Sequence, residues 1–304
     1  MSHGIGVVAA LRDAPDFVIV AFVALTQLGD LWWFLTALTL AYAFAGTHPR
    51  LRGERVRERA AFVIAVALGA LAVTYLLKLT VAHPRPPGAE TARELAWLPA
   101  SLEPVWRFLA TSDSSSLPSG HATGSAAIYG AVALVSRWGS RRLRYGGVIA
   151  LVALVAFSRV VIGVHYVGDV LAGLAVGSGY LAVVWLATRG RRVKRAFSLA
   201  VAVALVGMFT TLTPETAAIL AAALSGRITW TVVGGRLPTF TSRAEGAATA
   251  AVALVGATLA VGVALASDGG VVASFVAAAG GIAVLLISPL VTERLLGQPS
   301  LAGA

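Results

Sequence analysis

Long apolar stretches and short arginine-rich segments alternate along most of the chain. A bilayer crossing needs about 20 predominantly apolar residues, and a charged side chain at its centre costs roughly 2.5–3.5 kcal/mol. Residues 145–163 read as a crossing, with Arg159 near their end. Together with seven charge-free stretches, they predict an all-α, polytopic membrane helical bundle of about eight transmembrane helices. The charge-free stretches are residues 31–49, 60–77, 114–136, 170–188, 196–214, 246–267 and 269–292.

Two parts of the chain depart from this alternation. Residues 17–29 are apolar but only 13 residues long, so they predict an interfacial or re-entrant helix before the first span. Pro214 and Glu215 interrupt the sixth span, and residues 216–226 are expected either to extend it or to lie at the surface. The predicted parts are an N-terminal segment at 1–29, a transmembrane core of about five spans at 30–190, and a C-terminal transmembrane extension of about three spans and unknown role at 191–304.

The composition agrees with a membrane protein and excludes several other classes. Hydrophobic residues make up 58% of the 304 residues and charged residues only 12%, against about 25% in an ordinary soluble domain. A soluble globular enzyme or a disordered chain would need far more polar surface. The chain contains no cysteine, which excludes a disulfide framework, thiolate catalysis and a cysteine-ligated metal site.

Most of the basic residues lie in three short loops. The chain has 24 Lys and Arg against 14 Asp and Glu, and 14 of the basic residues fall at 50–59, 137–144 and 189–195. Loops rich in Lys and Arg stay on the cytoplasmic side of a membrane. The formal net charge of +10 therefore indicates membrane orientation and contact with anionic lipids. No basic module with interleaved aromatic residues supports nucleic-acid binding.

The other connections are then predicted to face the opposite, extracytoplasmic side. They are residues 78–118, the short turn near 159–169 and residues 226–244. The last of these carries three arginines, which runs against the positive-inside rule. The topology of the third quarter of the chain is therefore the least determined by the charge pattern.

Polar clusters lie at the predicted outward ends of the spans. Lys78 ends the second span and Arg85 follows among prolines that stop the helix. Two cations are therefore expected at the same outward end of this span. The sequence PSGH at 118–121 precedes an apolar helix, whose unpaired amides and dipole favour an anion. Each cluster also fits a simpler interpretation, in which basic side chains snorkel to headgroups and Ser119 caps a helix.

A third cluster joins a cation to a histidine and a carboxylate. Arg159 lies in an otherwise apolar span and must face a polar interior or partner. His165 and Asp169 are four residues apart, which puts them on one face if this segment is helical. A carboxylate that accepts from one imidazole nitrogen leaves the other nitrogen free as a nucleophile or base. An interfacial histidine beside a helix-capping aspartate is the simpler alternative.

Together, the clusters supply the parts that phosphoryl transfer requires. A phosphoryl group in transfer needs charge neutralisation on its equatorial oxygens, an in-line nucleophile and an acid for the leaving oxygen. The clusters provide three cations, a helix N terminus, two histidines and a carboxylate. All of them lie on one predicted membrane face, which indicates that a phosphate group is bound and attacked there.

Three motifs in this order, K-x6-RP, PSGH and SR-x5-H-x3-D, resemble the signature motifs of the type-2 phosphatidic acid phosphatase family. That family contains lipid phosphate phosphatases and prenyl-diphosphate phosphatases, and it shares its site with vanadium-dependent haloperoxidases. The resemblance covers about residues 15–190, and residues 196–304 have no counterpart in the family's minimal core. The matching positions are Lys78, Arg85, Pro86, Pro118, Ser119, Gly120, His121, Ser158, Arg159, His165 and Asp169.

The resemblance implies a helical bundle and a role for each site residue. It implies that His165 is the nucleophile that forms a phosphohistidine and that Asp169 orients it. His121 would protonate the leaving oxygen, and water would then hydrolyse the intermediate. No metal or other cofactor is implied, and the sequence has no Asp/Glu cluster for a dinuclear metal site. The implied phosphate-binding groups are Lys78, Arg85, Ser119, the Gly120 backbone N–H and Arg159.

The expected function is hydrolysis of a lipid phosphate or lipid (polyprenyl) diphosphate at the extracytoplasmic face of the cell membrane. Polyprenyl diphosphate, phosphatidate and a phosphatidylglycerophosphate-like lipid are equally compatible with the motifs. A lipid phosphotransferase would share the first half-reaction. A transporter or lipid-binding protein would keep the anion site without the chemistry, and a vanadate-dependent peroxidase would share the anion site, although those relatives are soluble.

Overall fold

The computed structural model describes residues 5–47, 55–137, 139–190 and 192–297. Arg50, Arg52 and Arg191 of the predicted arginine-rich loops lie outside the described residues. Across those ranges the regular secondary structure is helical and no strand occurs, which confirms the all-α fold class.

Most helices follow one another through short connections. The exception is the long segment at 82–119, which contains only a 3₁₀ turn at Ala100–Leu102 and one short helix. In chain order the helices are α1 (Ile5–Arg12), α2 (Asp16–Thr26) with a following 3₁₀ turn (Gln27–Gly29), α3 (Leu31–Ala43), α4 (Val56–Val81), α5 (Glu103–Ala110), α6 (Gly120–Val135), α7 (Arg141–Val161), α8 (Val167–Thr188), α9 (Val193–Thr210), α10 (Pro214–Val233), α11 (Arg243–Ala266) and α12 (Val271–Leu295).

Among the described residues, seven helices are long and apolar enough to cross a bilayer, namely α4 and α7 to α12. The pair Asp16–Gly29 and Leu31–Ala43 is bent by 50° and, taken as one broken span, raises the number to eight. α6 has 16 residues, about 24 Å at 1.5 Å per residue, and is shorter than the others. The chain is therefore a multi-pass membrane protein, and the prediction of about eight spans is confirmed.

Residues 214–233 form a separate helix, α10, which the charge pattern did not predict. Pro214 is tolerated at the first helical position because its missing N–H would have no partner there. Thr213 caps the helix, with its side chain accepting from Thr216 N at 3.3 Å. The expectation that residues 216–226 extend the sixth span or lie at the surface is therefore wrong. Four long helices, rather than about three, follow residue 190.

The extra helix changes the side on which the following connection lies. The guanidinium carbon of Arg57, at the start of α4, lies 4.8 Å from the centroid of the Phe240 ring. A Cβ added at Gly46 would come within 2.8 Å of the Phe240 carbonyl oxygen. The connection between α10 and α11 thus lies beside the arginine-rich 50–59 loop, so the predicted placement of residues 226–244 on the opposite face is wrong. The three arginines of that segment then obey the positive-inside rule.

The fold divides into two compact units. In the second unit α10 packs on α9 and α12, and α11 packs on α12, while Tyr42 Oη donates to Leu286 O at 2.8 Å. The three-part division at residues 29/30 and 190/191 stays a prediction. The first unit comprises the described residues of Met1–Phe34, Thr74–Ala133 and Gly139–Leu181, and the second those of Leu35–Val73, Leu134–Trp138 and Ala182–Ala304.

Close contact between α6 and α8 organises the first unit. A Cβ added at Gly177 would lie 2.3 Å from Thr123 O, and one at Gly173 would lie 2.7 Å from Ser119 O. Small residues four apart let two membrane helices approach to backbone contact. This pair of glycines therefore holds the first turns of α6 against α8, where the PSGH and SR-x5-H-x3-D motifs meet.

Candidate active site

The structure brings residues of all three sequence motifs together in the first unit. They lie at helix ends because each motif interrupts or begins an apolar helix. Lys78 is in the last turn of α4, Arg85 in the segment after it, Ser119, Gly120 and His121 at the start of α6, Arg159 in the last turn of α7, His165 in the turn between α7 and α8, and Asp169 in the first turn of α8.

His165 and Asp169 meet across a turn and not along one helix, because α8 begins only at Val167. Both Val164 N and His165 N donate to Arg159 O, at 3.2 and 3.3 Å. Gly163 permits this tight turn with a φ of +76°, a conformation in which a Cβ is unfavourable. The turn places His165 Nδ1 3.6 Å from Asp169 Oδ2.

Ser116 bridges the histidine and the carboxylate. Its Oγ donates to Asp169 Oδ2 at 2.5 Å and lies 3.3 Å from His165 Nδ1. All three side chains are buried. The sequence analysis did not single out Ser116, because it is one of several Ser and Thr residues between Thr111 and Ser116 and no spacing rule marks it.

Asp169 has further partners that fix its carboxylate. Its Oδ2 accepts from Tyr166 N at 2.9 Å, and its backbone carbonyl accepts from Ser119 N at 3.0 Å. His83, which lies outside the matched motifs, places Nδ1 3.8 Å from Asp169 Oδ1. Asp169 therefore links the start of α6 to the turn that carries His165.

Arg85 lies on the other side of the His165 ring. Its Nη1 is 3.3 Å from His165 Nε2 and donates to Val164 O at 2.6 Å. Its Nε and Nη2 donate to Ser114 O and Ser114 Oγ, at 2.5 and 3.1 Å. One nitrogen of the imidazole thus faces a carboxylate and a hydroxyl, and the other faces a cation.

The two remaining cations approach from α4 and α7. Lys78 Nζ donates to Ser114 Oγ at 3.0 Å and to Ser115 O at 2.7 Å. Arg159 is 5% exposed, and its Nη1 donates to Thr26 Oγ1 at 3.1 Å. Its Nε has no hydrogen-bond partner among the described residues. A buried guanidinium with an unsatisfied N–H is suited to an anionic ligand.

The second histidine lies in the first turn of α6. His121 Nε2 is 3.4 Å from Asp30 Oδ2, which the sequence analysis did not associate with the site. Ser119 is fully buried and its Oγ accepts from Ala122 N at 3.5 Å, so it caps α6 beside His121. Because Asp30 is about 90 residues from His121, the sequence contains no spacing signal for this contact.

Burial sets the protonation state of His165. Removal from water lowers the pKa of its imidazole well below 6.5, and the nearby cations Arg159, Arg85 and Lys78 lower it further. The Asp169 carboxylate opposes this shift. His165 is therefore neutral at pH 7, and its Nε2 carries a lone pair, with Arg85 Nη1 at 3.3 Å. Such a nitrogen can attack an electrophile that takes the place of the Arg85 N–H.

Among the described residues, no three His, Asp or Glu side chains come close enough together to hold a metal ion. The polar groups at the site are mostly donors and cations, with the two carboxylates each next to a histidine. Such a site is suited to an anion whose oxygens take up several N–H groups.

Comparison with known proteins agrees with this chemistry. Residues 59–193 match the family model of the PAP2 superfamily. No curated protein and no solved structure matches the chain significantly. The matched residues contain all three motifs, whereas Thr26 and Asp30 precede them.

Proposed function

We propose that this chain hydrolyses a lipid phosphate or lipid (polyprenyl) diphosphate through a phosphohistidine intermediate, and the match of residues 59–193 to the PAP2 superfamily supports a phosphatase role. The observation that carries this proposal is the environment of His165. Its Nδ1 side faces Ser116 and Asp169, and its Nε2 lies 3.3 Å from Arg85 Nη1. In a buried neutral imidazole held in this way the lone pair of Nε2 points towards Arg85, and an anion bound by Arg85 would lie next to that lone pair.

In the first step, the lone pair of His165 Nε2 attacks phosphorus while the bond from phosphorus to the leaving oxygen breaks. Asp169 stabilises the positive charge that develops on the ring. Lys78, Arg85 and Arg159 neutralise the charge on the three equatorial oxygens of the phosphoryl group. The Ser119 side chain and the Gly120 N–H at the start of α6 add neutral donors.

His121 supplies the proton that the leaving oxygen needs. It donates to an alkoxide if the substrate is a monoester, or to a phosphate if it is a diphosphate. Once deprotonated, the same imidazole accepts a proton from water, which attacks the phosphohistidine and releases inorganic phosphate. The cycle returns both histidines to their starting states and requires no metal.

A lipid is favoured as the substrate because the site lies at the ends of membrane helices. α4, α7 and α8 all meet the length and hydropathy of a bilayer crossing, and the site residues occupy their terminal turns. A phosphate bound there would lie at headgroup depth, with an attached acyl or prenyl chain in the hydrocarbon. The motifs contact only the phosphate, so they leave the choice between phosphatidate-like and polyprenyl substrates to the helix surfaces.

The charge distribution supports an extracytoplasmic site in the cell membrane. Arg57, next to the arginine-rich 50–59 loop, begins α4, and Lys78 lies in its last turn. A helix of 26 residues extends about 39 Å, so its two ends lie on opposite membrane faces. With the arginine-rich loop cytoplasmic, Lys78 and the site face outward.

Cysteine labelling in intact cells is expected to show this orientation. The chain has no native cysteine, and Ser101, Ser140 and Arg192 are all exposed. A membrane-impermeant maleimide should label Ser101→Cys in intact cells, but Ser140→Cys and Arg192→Cys only after permeabilisation. The reverse pattern would place the site in the cytoplasm.

The substrate proposal is tested by phosphate release from the purified protein. Phosphatidate, a polyprenyl diphosphate and phosphatidylglycerophosphate are supplied in liposomes, with and without EDTA. We expect phosphate release from at least one lipid at a rate that EDTA does not change. Transfer of the phosphoryl group to an added alcohol in place of water would identify a phosphotransferase. Strict dependence on added magnesium, or no reaction with any lipid, would contradict the proposal.

A further inference from the structure

The break between α2 and α3 contacts residues of the site, although its own residues belong to none of the three motifs. The two helices meet at 50°, and the residues at the break are Thr26, the 3₁₀ turn Gln27–Gly29 and Asp30. Thr26 Oγ1 accepts from Arg159 Nη1, and Asp30 Oδ2 lies beside His121 Nε2. The residues of the break, Thr26 to Asp30, all precede the stretch 59–193 that matches the family.

Two hydrogen bonds fasten this break to α6, the helix that carries His121. A broken membrane helix leaves backbone carbonyls that need partners, because the bilayer interior offers none. Tyr129 Oη donates to Leu28 O at 2.6 Å, and Trp33 Nε1 donates to Tyr129 Oη at 3.0 Å. The break and α6 are therefore docked to each other two turns away from His121.

Gly29 allows the break to approach this closely. A Cβ added at Gly29 would lie 2.4 Å from Val155 Cγ1 on α7 and 3.3 Å from His121 Cδ2. Any side chain here would push the turn away from both helices. The glycine thus sets the separation between the following residue, Asp30, and the His121 ring.

The surroundings of His121 give the Asp30 carboxylate a specific task. Burial of the ring and, after it, the cations Arg159 and Lys78 disfavour the protonated imidazole that a general acid must be, and the Asp30 carboxylate acts against them without outweighing them. Asp30 Oδ2 is 3.4 Å from Nε2, and this nitrogen has no hydrogen-bond partner among the described residues. The carboxylate is thus the nearest acidic group to Nε2, and its negative charge favours the imidazolium and attracts the Nε2–H. The other ring nitrogen, Nδ1, is then available to donate to a leaving oxygen.

We propose that Asp30 is a positioning residue for catalysis, orienting His121 as the proton donor and favouring its protonated form against burial and the neighbouring cations. This inference rests on the proposed function and adds to it a second carboxylate–histidine pair. In that arrangement Asp169 orients the nucleophile, His165, and Asp30 orients the general acid, His121. During the first half-reaction the proton on His121 passes to the leaving oxygen as its bond to phosphorus breaks, and the Asp30 carboxylate keeps its charge throughout.

The test compares two substrates that differ in their need for an acid. A lipid alkyl phosphate has a poor leaving group, whereas p-nitrophenyl phosphate leaves without protonation. Asp30→Asn should slow hydrolysis of the alkyl phosphate about tenfold or more, up to the 10²–10⁴-fold that general acid catalysis contributes as a whole, and change p-nitrophenyl phosphate hydrolysis far less. His121→Ala should show the same selectivity, and the double variant should be no slower than His121→Ala alone. Asp30→Glu should recover part of the rate.

Asp268→Asn is the matched control, since Asp268 belongs to the second unit and lies in the turn between α11 and α12. It should hydrolyse both substrates at the wild-type rate. Suppose that His121→Ala slows the alkyl phosphate selectively, but Asp30→Asn slows hydrolysis of both substrates equally or of neither. The role of Asp30 is then overturned and the proposed function stands. If His121→Ala itself shows no selectivity, the acid role of His121 and the inference fail together. Hydrolysis through His165 is then judged separately, by the loss of both activities in His165→Ala.

Discussion

Replacing His165 with alanine is expected to reduce phosphate release to the uncatalysed level with every substrate. In the proposed mechanism the imidazole is the group whose lone pair attacks the phosphate, and alanine leaves nothing at that position to form the intermediate. Loss of a nucleophile typically costs about 10⁴-fold or more in kcat. The loss should be equally severe with p-nitrophenyl phosphate, because a good leaving group does not replace the nucleophile.

This variant is measured in detergent beside the wild-type protein, with thermal unfolding recorded for both. His165 is buried, so a folding defect has to be separated from a chemical one. An unfolding midpoint near that of the wild type, together with the loss of activity, supports the nucleophile role. Retention of a tenth of the wild-type rate by a folded His165→Ala protein would contradict it.

Replacing Asp169 with asparagine is expected to produce the second-largest loss, about 10³–10⁴-fold in kcat. Asparagine keeps the shape of the side chain but removes the charge that stabilises a positive imidazole ring, and in a catalytic triad this change costs about 10⁴-fold. Asp169 also accepts from Ser116 Oγ and Tyr166 N, so the variant disturbs the turn that carries His165.

Ser116→Ala provides the comparison for this prediction. It removes the bridging hydroxyl and leaves the carboxylate, whose Oδ2 is still 3.6 Å from His165 Nδ1 in the native arrangement. We expect a smaller loss, about tenfold, in line with one hydrogen bond to a charged group. A Ser116→Ala protein slower than Asp169→Asn would show that the hydroxyl, and not the charge, controls the histidine.

The motifs of the candidate site could be recognised in the sequence because they break rules that membrane helices otherwise obey. Lys78, Arg159 and His165 are polar residues where apolar ones are expected, and prolines and glycines end the helices next to them. Local rules of this kind also gave the span count and the all-α class. The structure adds the distances, which show that Arg85 and Ser116 of the 82–119 segment and Asp169 of α8 surround the His165 imidazole.

The contacts that the sequence did not reveal are those between distant or repeated residues. Ser116 is one serine in a run of similar residues, and only the position of Asp169 distinguishes it. Asp30 and Thr26 reach the site through a bend between two helices, and no periodicity encodes that bend. Their roles follow from tertiary packing, which a pattern along one chain does not contain.

The topology error has a different physical origin. Pro214 was interpreted as an interruption because proline disrupts a helix interior, whereas at the first helical position it favours helix formation. Recognising the cap at Thr213 would have separated α9 from α10. One added crossing then moves the 226–244 segment to the face of the arginine-rich loop, where Arg57 contacts Phe240.

The phosphohistidine on His165 is the central claim, and rapid-quench trapping tests it most directly. Radiolabelled p-nitrophenyl phosphate is mixed with the wild-type protein and with His165→Ala, quenched in base within a single turnover, and the labelled residue is mapped by mass spectrometry. We predict an acid-labile, base-stable phosphoryl group on His165 that forms and decays as fast as phosphate is released, and no label in the variant. Label on another residue, or free phosphate released in a single turnover without any labelled protein, would contradict the account.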